Sequence, residues 1–464
     1  MAPLNGDDIP SSPQFLQRCI ESNCQAEYLI GQRLYVCTKC GGLLDIVLNG
    51  DIPAASELKS LWRDRRASFA AVDRSGVWRF REVLPIKDES TIISLQEGNT
   101  PLYDARRSAS YCKIDALRLK HQGCNPTGSF KDTGMTVAVT QALILESKLV
   151  ACASTGNTAA SLAAYAARAG LPCAIMVPSG HVSAAKLAQS LDYGAAVIEV
   201  EGNFDDCMAT IREISEELPV YLVNSINPFR IEGQKTVAFE LMEQLQWQVP
   251  DHLVVPGGNL GNSSAFGKGF REMFAAGLIE RQPHISVVQA AGASPFAKLY
   301  DEHSRHPELL KLEPERHPQT LASAINIGAP VSWQKAWRAV NETTGTVLTV
   351  DEAEIADAKA IIGRDGIGCE PASATTVAGI RKLVQQGIIN SGENVVAILT
   401  GHLLKDTDYT GKYHTSTLFS GAVKTRFSNK PIKVAGAVNE ITAVFRQLID
   451  EREHKSDELA LKQN

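Results

Sequence analysis

The stretch Asn125-Pro126-Thr127-Gly128-Ser129-Phe130-Lys131-Asp132 sets one lysine where an amine can do covalent chemistry. Pro126 and Gly128 mark a turn, Ser129 has the character of an N-cap, and Lys131 then falls in the first turn of a helix. The positive end of the helix dipole disfavours a charged ammonium there, and partial desolvation pushes the same way. A neutral amine is the form that attacks a carbonyl carbon. Read alone, the octapeptide is better explained as a solvated lysine at a helix start.

Three further segments reverse that balance. Ser154-Thr155-Gly156-Asn157-Thr158-Ala159 follows the apolar run 149–153 and opens an alanine-rich helix. Pro256-Gly257-Gly258-Asn259-Leu260-Gly261-Asn262 follows the run 252–255 and also precedes a helix. Thr400-Gly401-His402 closes the run 395–399. Each is a strand followed by a small polar or glycine-rich turn, which is where ligands sit in open α/β sheets.

On these segments the chain resembles the fold-type II pyridoxal-phosphate (PLP) enzymes, and among them the threonine synthase family. Glu97-Gly98-Asn99-Thr100-Pro101-Leu102 is similar to that family's opening motif, and the Lys131 segment to its cofactor-lysine motif. Asn224-Ser225-Ile226-Asn227-Pro228-Phe229-Arg230-Ile231-Glu232-Gly233-Gln234-Lys235-Thr236 resembles the segment that binds the phosphate of O-phosphohomoserine. Asn326-Ile327-Gly328 and Glu370-Pro371-Ala372-Ser373 extend the match, which covers residues 15 to 430. Leu403 departs from it, since the family usually carries glycine there.

The resemblance implies an α/β fold of the tryptophan synthase β type with two parallel-sheet domains, to which the paired cysteines near the N-terminus add a zinc-ribbon-like module. It implies a homodimer that converts O-phospho-L-homoserine and water to L-threonine and phosphate, a lyase reaction of threonine biosynthesis. Lys131 would be the catalytic lysine and the cofactor's anchor. The turn Gly257, Gly258, Asn259, Leu260, Gly261 and Asn262 would bind the cofactor phosphate through backbone amides and a helix N-terminus. Thr400 would face the ring nitrogen, Asn157 would reach the 3-hydroxyl, and Phe130 would lie close to the ring plane. Arg230 offers a fork of donors for the substrate phosphate, completed by Ser154, Thr158, Asn224 and Ser225. Asn326, Glu370, Ser373 and His402 are open between site lining and turn structure.

Other fold-type II activities compete with this reading. A threonine dehydratase acting on a free hydroxy-amino acid has no need of Arg230. A phospholyase is a further rival, and against cysteate synthase, which also takes a phosphorylated amino acid, the sequence argues only weakly. A regulatory protein with a nucleic-acid-binding ribbon is disfavoured: residues 19–40 hold only Arg33 and Lys39 as basic residues, against Glu21 and Glu27.

The four cysteines of that region pair as Cys19 with Cys24 and Cys37 with Cys40, with four and two residues between the members of each pair and twelve between the pairs. Such pairs wrap one tetrahedral, structural zinc, or remain as a metal-free ribbon. The other six cysteines are scattered and read as small core residues.

At 464 residues, 44% hydrophobic and 21% charged, the composition is that of a globular protein of about three domains. A net charge of −6 gives no reason to expect nucleic acid or an anionic membrane as partner. No apolar run approaches the roughly 20 residues of a membrane-spanning helix, and residues 1–10 lack a signal-peptide core, so the cytoplasm is the expected location.

The elements that position these groups alternate. Strand-like runs at 149–153, 173–177, 196–200 and 220–223 are separated by helical stretches at 157–169, 183–192 and 204–217. A second strand series lies at 252–256, 285–289 and 395–400. This βαβ repetition implies parallel sheets covered by helices. The expected organisation is a disordered tail over 1–14 and the ribbon over 15–50. A large PLP domain takes 51–119 and 221–430, with its N-terminal arm. A nested α/β domain takes 120–220, and a helical tail takes 431–464.

Overall fold

The computed structural model describes residues 14–460 apart from 87, 181–183, 203, 421–422 and 424. The tail expected over 1–14 thus lies outside the described residues, save for Gln14. The strands are β1 (Phe15–Cys19), β2 (Glu27–Leu29), β3 (Leu44–Leu48), β4 (Leu102–Asp104), β5 (Leu117–His121), β6 (Leu149–Ala153), β7 (Cys173–Pro178), β8 (Ala196–Val200), β9 (Val220–Leu222), β10 (His252–Pro256), β11 (His284–Ala290), β12 (Val347–Val350) and β13 (Val395–Leu399).

They form three sheets. The ribbon is antiparallel, in the order β2-β1-β3. The larger sheet runs β12-β11-β10-β13-β5-β4, parallel throughout except for the edge strand β4. The smaller is fully parallel, in the order β8-β7-β6-β9. Every residue of β10 and β13 is buried, as expected of parallel strands covered by helices on both faces. Their Val, Leu and Ile side chains fill the two cores on either side of the larger sheet.

The smaller sheet is inserted between β5 and β10. The chain enters it through the helix Lys131–Ile144 and leaves it through the helix Pro228–Gln244. These two helices cross with their backbones almost in contact. A Cβ at Gly134 would come within 2.7 Å of the Arg230 carbonyl, and one at Gly233 would overlap the Thr133 carbonyl. The absence of both side chains lets the Lys131 and Arg230 ends of the helices approach each other.

Strands β4, β5 and β12 go beyond the expected runs. In β5 the polar residues Arg118 and Lys120 interrupt the apolar pattern, yet Lys120 is fully buried because its ammonium pairs with Glu240. Strand β4 is three residues long, with two of them exposed, so it has almost no pattern to read. The arm over 51–95 packs Leu58, Trp62 and Phe80 against Phe239 and Leu253 of the body. Residues from Thr410 onward form a second compact unit, which contains the helix Val438–Ala460. Among the described residues no helix is long and apolar enough to cross a membrane.

Candidate active site

The segments singled out above follow the carboxyl ends of parallel strands: Lys131 after β5, Ser154 to Thr158 after β6, Asn224 and Ser225 after β9, the glycine turn after β10, and Thr400 after β13. That is the ligand-binding edge of an open α/β sheet. Hydrogen bonds tie the segments together. The Phe130 amide donates to the Thr400 carbonyl at 2.8 Å, and Ser129 bridges Gly401. The Gly98 amide donates to Asn125 Oδ1 at 2.8 Å, joining the opening motif to the lysine loop.

Lys131 opens its helix, but Ser129 is not the cap. The N-cap position is Phe130, and the Ser129 hydroxyl is buried without a hydrogen-bond partner. Asp132 organises the loop instead, accepting from the Thr127 amide at 2.7 Å and from the hydroxyls of Thr127 and Ser161 at 2.6 and 2.5 Å. Burial raises the Asp132 pKa to about 6 against those bonds. Lys131 is half-buried, and its ammonium makes no hydrogen bond among the described residues; Nζ stands 4.2 Å from the centre of the Phe130 ring. Crowding by protein, and then repulsion from Arg230, lower its pKa from 10.5 to about 7, with Glu370 opposing.

Arg230 is 3% exposed, in the first turn of its helix, which Asn227 caps by accepting from the Phe229 amide at 3.0 Å. Its Nη1 donates to the Val223 carbonyl at 3.3 Å, while Nε is buried and unpartnered. Burial lowers its pKa to about 10, against the influence of Cys152. Asn224 is pinned beside it, exchanging bonds of 3.1 and 2.9 Å with the backbone of Ala153, the residue before Ser154. Thr158 lies in the first turn of the following helix, Asn157–Ala169.

The glycine turn has the character of an anion cradle. Leu260 takes a left-handed conformation (φ 63°), which turns the chain into the helix Gly261–Ala275. A Cβ on Gly257 would come within 2.8 Å of the Val287 and Gln289 side chains, and one on Gly258 within 3.1 Å of Ile325. Both polar atoms of the Asn262 side chain and the Ser263 hydroxyl are buried without partners. Orphaned donors at a helix N-terminus fit a phosphate group.

Thr400 does not stand alone. Its hydroxyl donates to Glu370 Oε1 at 3.1 Å, and Asn157 Nδ2 donates to Glu370 Oε2 at 3.0 Å. Burial raises the Glu370 pKa, opposed by these two bonds. Gly401 is required beside it, since a Cβ there would overlap the carboxylate. Ser373 supports the same corner, its hydroxyl accepting from the Thr400 and Gly401 amides at 2.8 and 3.1 Å. His402 stabilises the turn, its Nδ1 accepting from the Leu404 amide, while Asn326 is exposed. Leu403 packs against Gly368, where the lack of a Cβ leaves it room.

Lys405 was not foreseen. Its stem lies over Gly128, its ammonium donates to Gln189, and burial lowers its pKa against the pull of Asp132 and Glu370. The visible signal was a basic residue five positions beyond Thr400. In the ribbon, the four sulfur atoms of Cys19, Cys24, Cys37 and Cys40 lie within 4.8 Å of one another, with Cys19–Cys40 at 3.4 Å and Cys24–Cys37 at 3.6 Å. A tetrahedron with zinc–sulfur bonds of about 2.3 Å has edges of about 3.8 Å, so the set fits that metal.

Residues 93–401 match the family of pyridoxal-phosphate dependent enzymes. The chain is 43% identical to the threonine synthase of Methanocaldococcus jannaschii over 93% of its own length and all of that protein. It is 46% identical to the threonine synthase of Synechocystis sp., over 71% of the chain and 82% of the relative. In fold it resembles a tomato threonine deaminase (TM-score 0.57, 20% identity, 79% and 93% covered) and maize serine racemase (TM-score 0.56, 21% identity, 69% and 94% covered). The chain belongs to the threonine synthase family of pyridoxal-phosphate-dependent enzymes.

Proposed function

We infer that this chain converts O-phospho-L-homoserine and water to L-threonine and phosphate in the recess around Lys131. The observation that most supports this is the buried, half-satisfied Arg230, which acts on the amine of lowered pKa and is separate from the glycine turn with its orphaned donors. A dehydratase would leave this arginine without a task.

PLP, when bound, supplies an electron sink for negative charge at the substrate α-carbon. Lys131 would hold it through Nζ, beside Phe130. Gly257, Gly258, Asn259, Leu260, Gly261 and Asn262 would take its phosphate, and Asn157 and Thr400, both joined to Glu370, would meet its ring. Once freed, the Lys131 amine accepts the substrate α-proton and later returns it; a pKa near 7 suits both tasks. Arg230, with Ser154, Thr158, Asn224 and Ser225, would grip the substrate phosphate and stabilise the charge that builds as the bond to the γ-carbon breaks. For that bond to break, a β-proton must leave so that its electron pair can expel the phosphate; the γ-carbon then gains a proton, and the retained phosphate can take a proton from the water whose hydroxyl adds at the β-carbon.

In this reading residues 120–220 form the smaller of two domains that flank the cofactor. The ribbon cysteines hold one structural zinc, as their spacing and clustered sulfur atoms suggest, and two chains form a homodimer in the cytoplasm, the homodimer being what the family resemblance implies. The test is Arg230→Ala. It should leave the absorption of bound PLP intact and lower kcat/KM for O-phosphohomoserine roughly 10–150-fold, the cost of about 1.5–3 kcal/mol for an unmade charged hydrogen bond. Loss of PLP with unchanged substrate affinity would assign the arginine to the other phosphate.

A further inference from the structure

The ribbon touches helices that cover the larger sheet and the edge of the smaller one. On one side β3 is locked to helices covering the larger sheet. Lys335 Nζ donates to the Leu44 carbonyl at 2.6 Å and pairs with Asp45 at 3.0 Å, and Lys268 Nζ donates to the Ile46 carbonyl. Lys268 also pairs with Glu232 on the Arg230 helix. All four of these charged groups are buried, so the anchor is screened little by salt.

On its other side the ribbon reaches β9, an edge strand of the smaller sheet. The Leu222 amide donates to the Tyr35 hydroxyl at 2.7 Å, and Arg33 Nη1 donates to the Val220 carbonyl at 3.3 Å. The Tyr35 ring packs on Tyr221 with centroids 5.9 Å apart. From Leu222 the path to the anion receptor is short. Its carbonyl accepts from Asn227 Nδ2 at 2.8 Å, and Asn227 caps the Arg230 helix. The next residue, Val223, holds Arg230 by its carbonyl, and Asn224 follows.

We propose that Tyr35 is a positioning residue for the substrate-phosphate receptor. The ribbon, anchored to the larger sheet, uses this hydroxyl to fix the end of β9, and with it Asn224 and Arg230. An edge-strand amide left without this acceptor would be free to shift, and small displacements of a binding group are costly in a site built on orientation. The proposal rests on the reading of Arg230 given above.

Tyr35→Phe in the full-length, PLP-loaded protein removes one acceptor and keeps the ring. The KM for O-phosphohomoserine and the dissociation constant for inorganic phosphate, measured by titration calorimetry, should rise together about three- to tenfold. The kcat and the absorption of bound PLP should stay near wild type. Unchanged phosphate binding in Tyr35→Phe, with weakened binding in Arg230→Ala, overturns the positioning role alone. Unchanged binding in both overturns the assignment of Arg230 as well. A loss of kcat and bound PLP that matches the change in KM would mark Tyr35 as a general fold contact and also overturn the proposal.

Discussion

At the residue scale, the reactivity of Lys131 follows from its neighbours. Protein crowding and Arg230 bring its pKa to about 7, so the amine is mostly protonated below that pH and mostly free above it. Capture of PLP by cofactor-free protein, divided by capture by a free lysine analogue under the same conditions, should reflect this. The ratio should be highest and constant below pH 7, where both amines gain free base in step, and fall roughly tenfold per pH unit above it, as the analogue continues to deprotonate towards its ordinary value of about 10.4. A ratio flat from pH 7 to 9 would mean that Lys131 titrates like an exposed lysine. The lysine itself was legible because turn residues and its place in the helix are local signals. The environment of Thr400 was not. Glu370 lies 30 residues before it in the chain, and only the fold brings its carboxylate to that hydroxyl. Ser129 misled because the helix begins one residue later, with Phe130 at the cap position, while the loop before it is held by Asp132, which accepts from the Thr127 amide.

At the element scale, uninterrupted apolar runs made β10 and β13 plain, and the turns after them carried the candidate residues. Strand β5 was hidden because Lys120 looks like a surface residue until Glu240 supplies its counter-charge. The ribbon was marked by cysteine spacing alone, and its sulfur atoms do come together. Metal analysis of protein purified under reducing, chelator-free conditions should find about one zinc per chain, lost on Cys37→Ser. Protein that contains no metal, yet keeps its stability after exposure to a chelator, would show a ribbon that folds on thiol packing alone.

At the scale of the whole molecule, alternation of strand and helix was enough to anticipate two parallel sheets. It gave no hint of the close helix crossing at Gly134 and Gly233, because nothing local distinguishes those glycines from others in a helix. The crossing matters most for function, since it brings the Lys131 and Arg230 ends of two helices into one recess of a chain whose net charge is −6. The central claim, that this recess makes threonine, is tested most directly by supplying purified, PLP-loaded protein with O-phospho-L-homoserine and following both products. Phosphate and L-threonine should appear in equal amounts, and both should vanish in Lys131→Ala. Phosphate released with a keto acid in place of threonine, or turnover that survives in Lys131→Ala, would contradict the account.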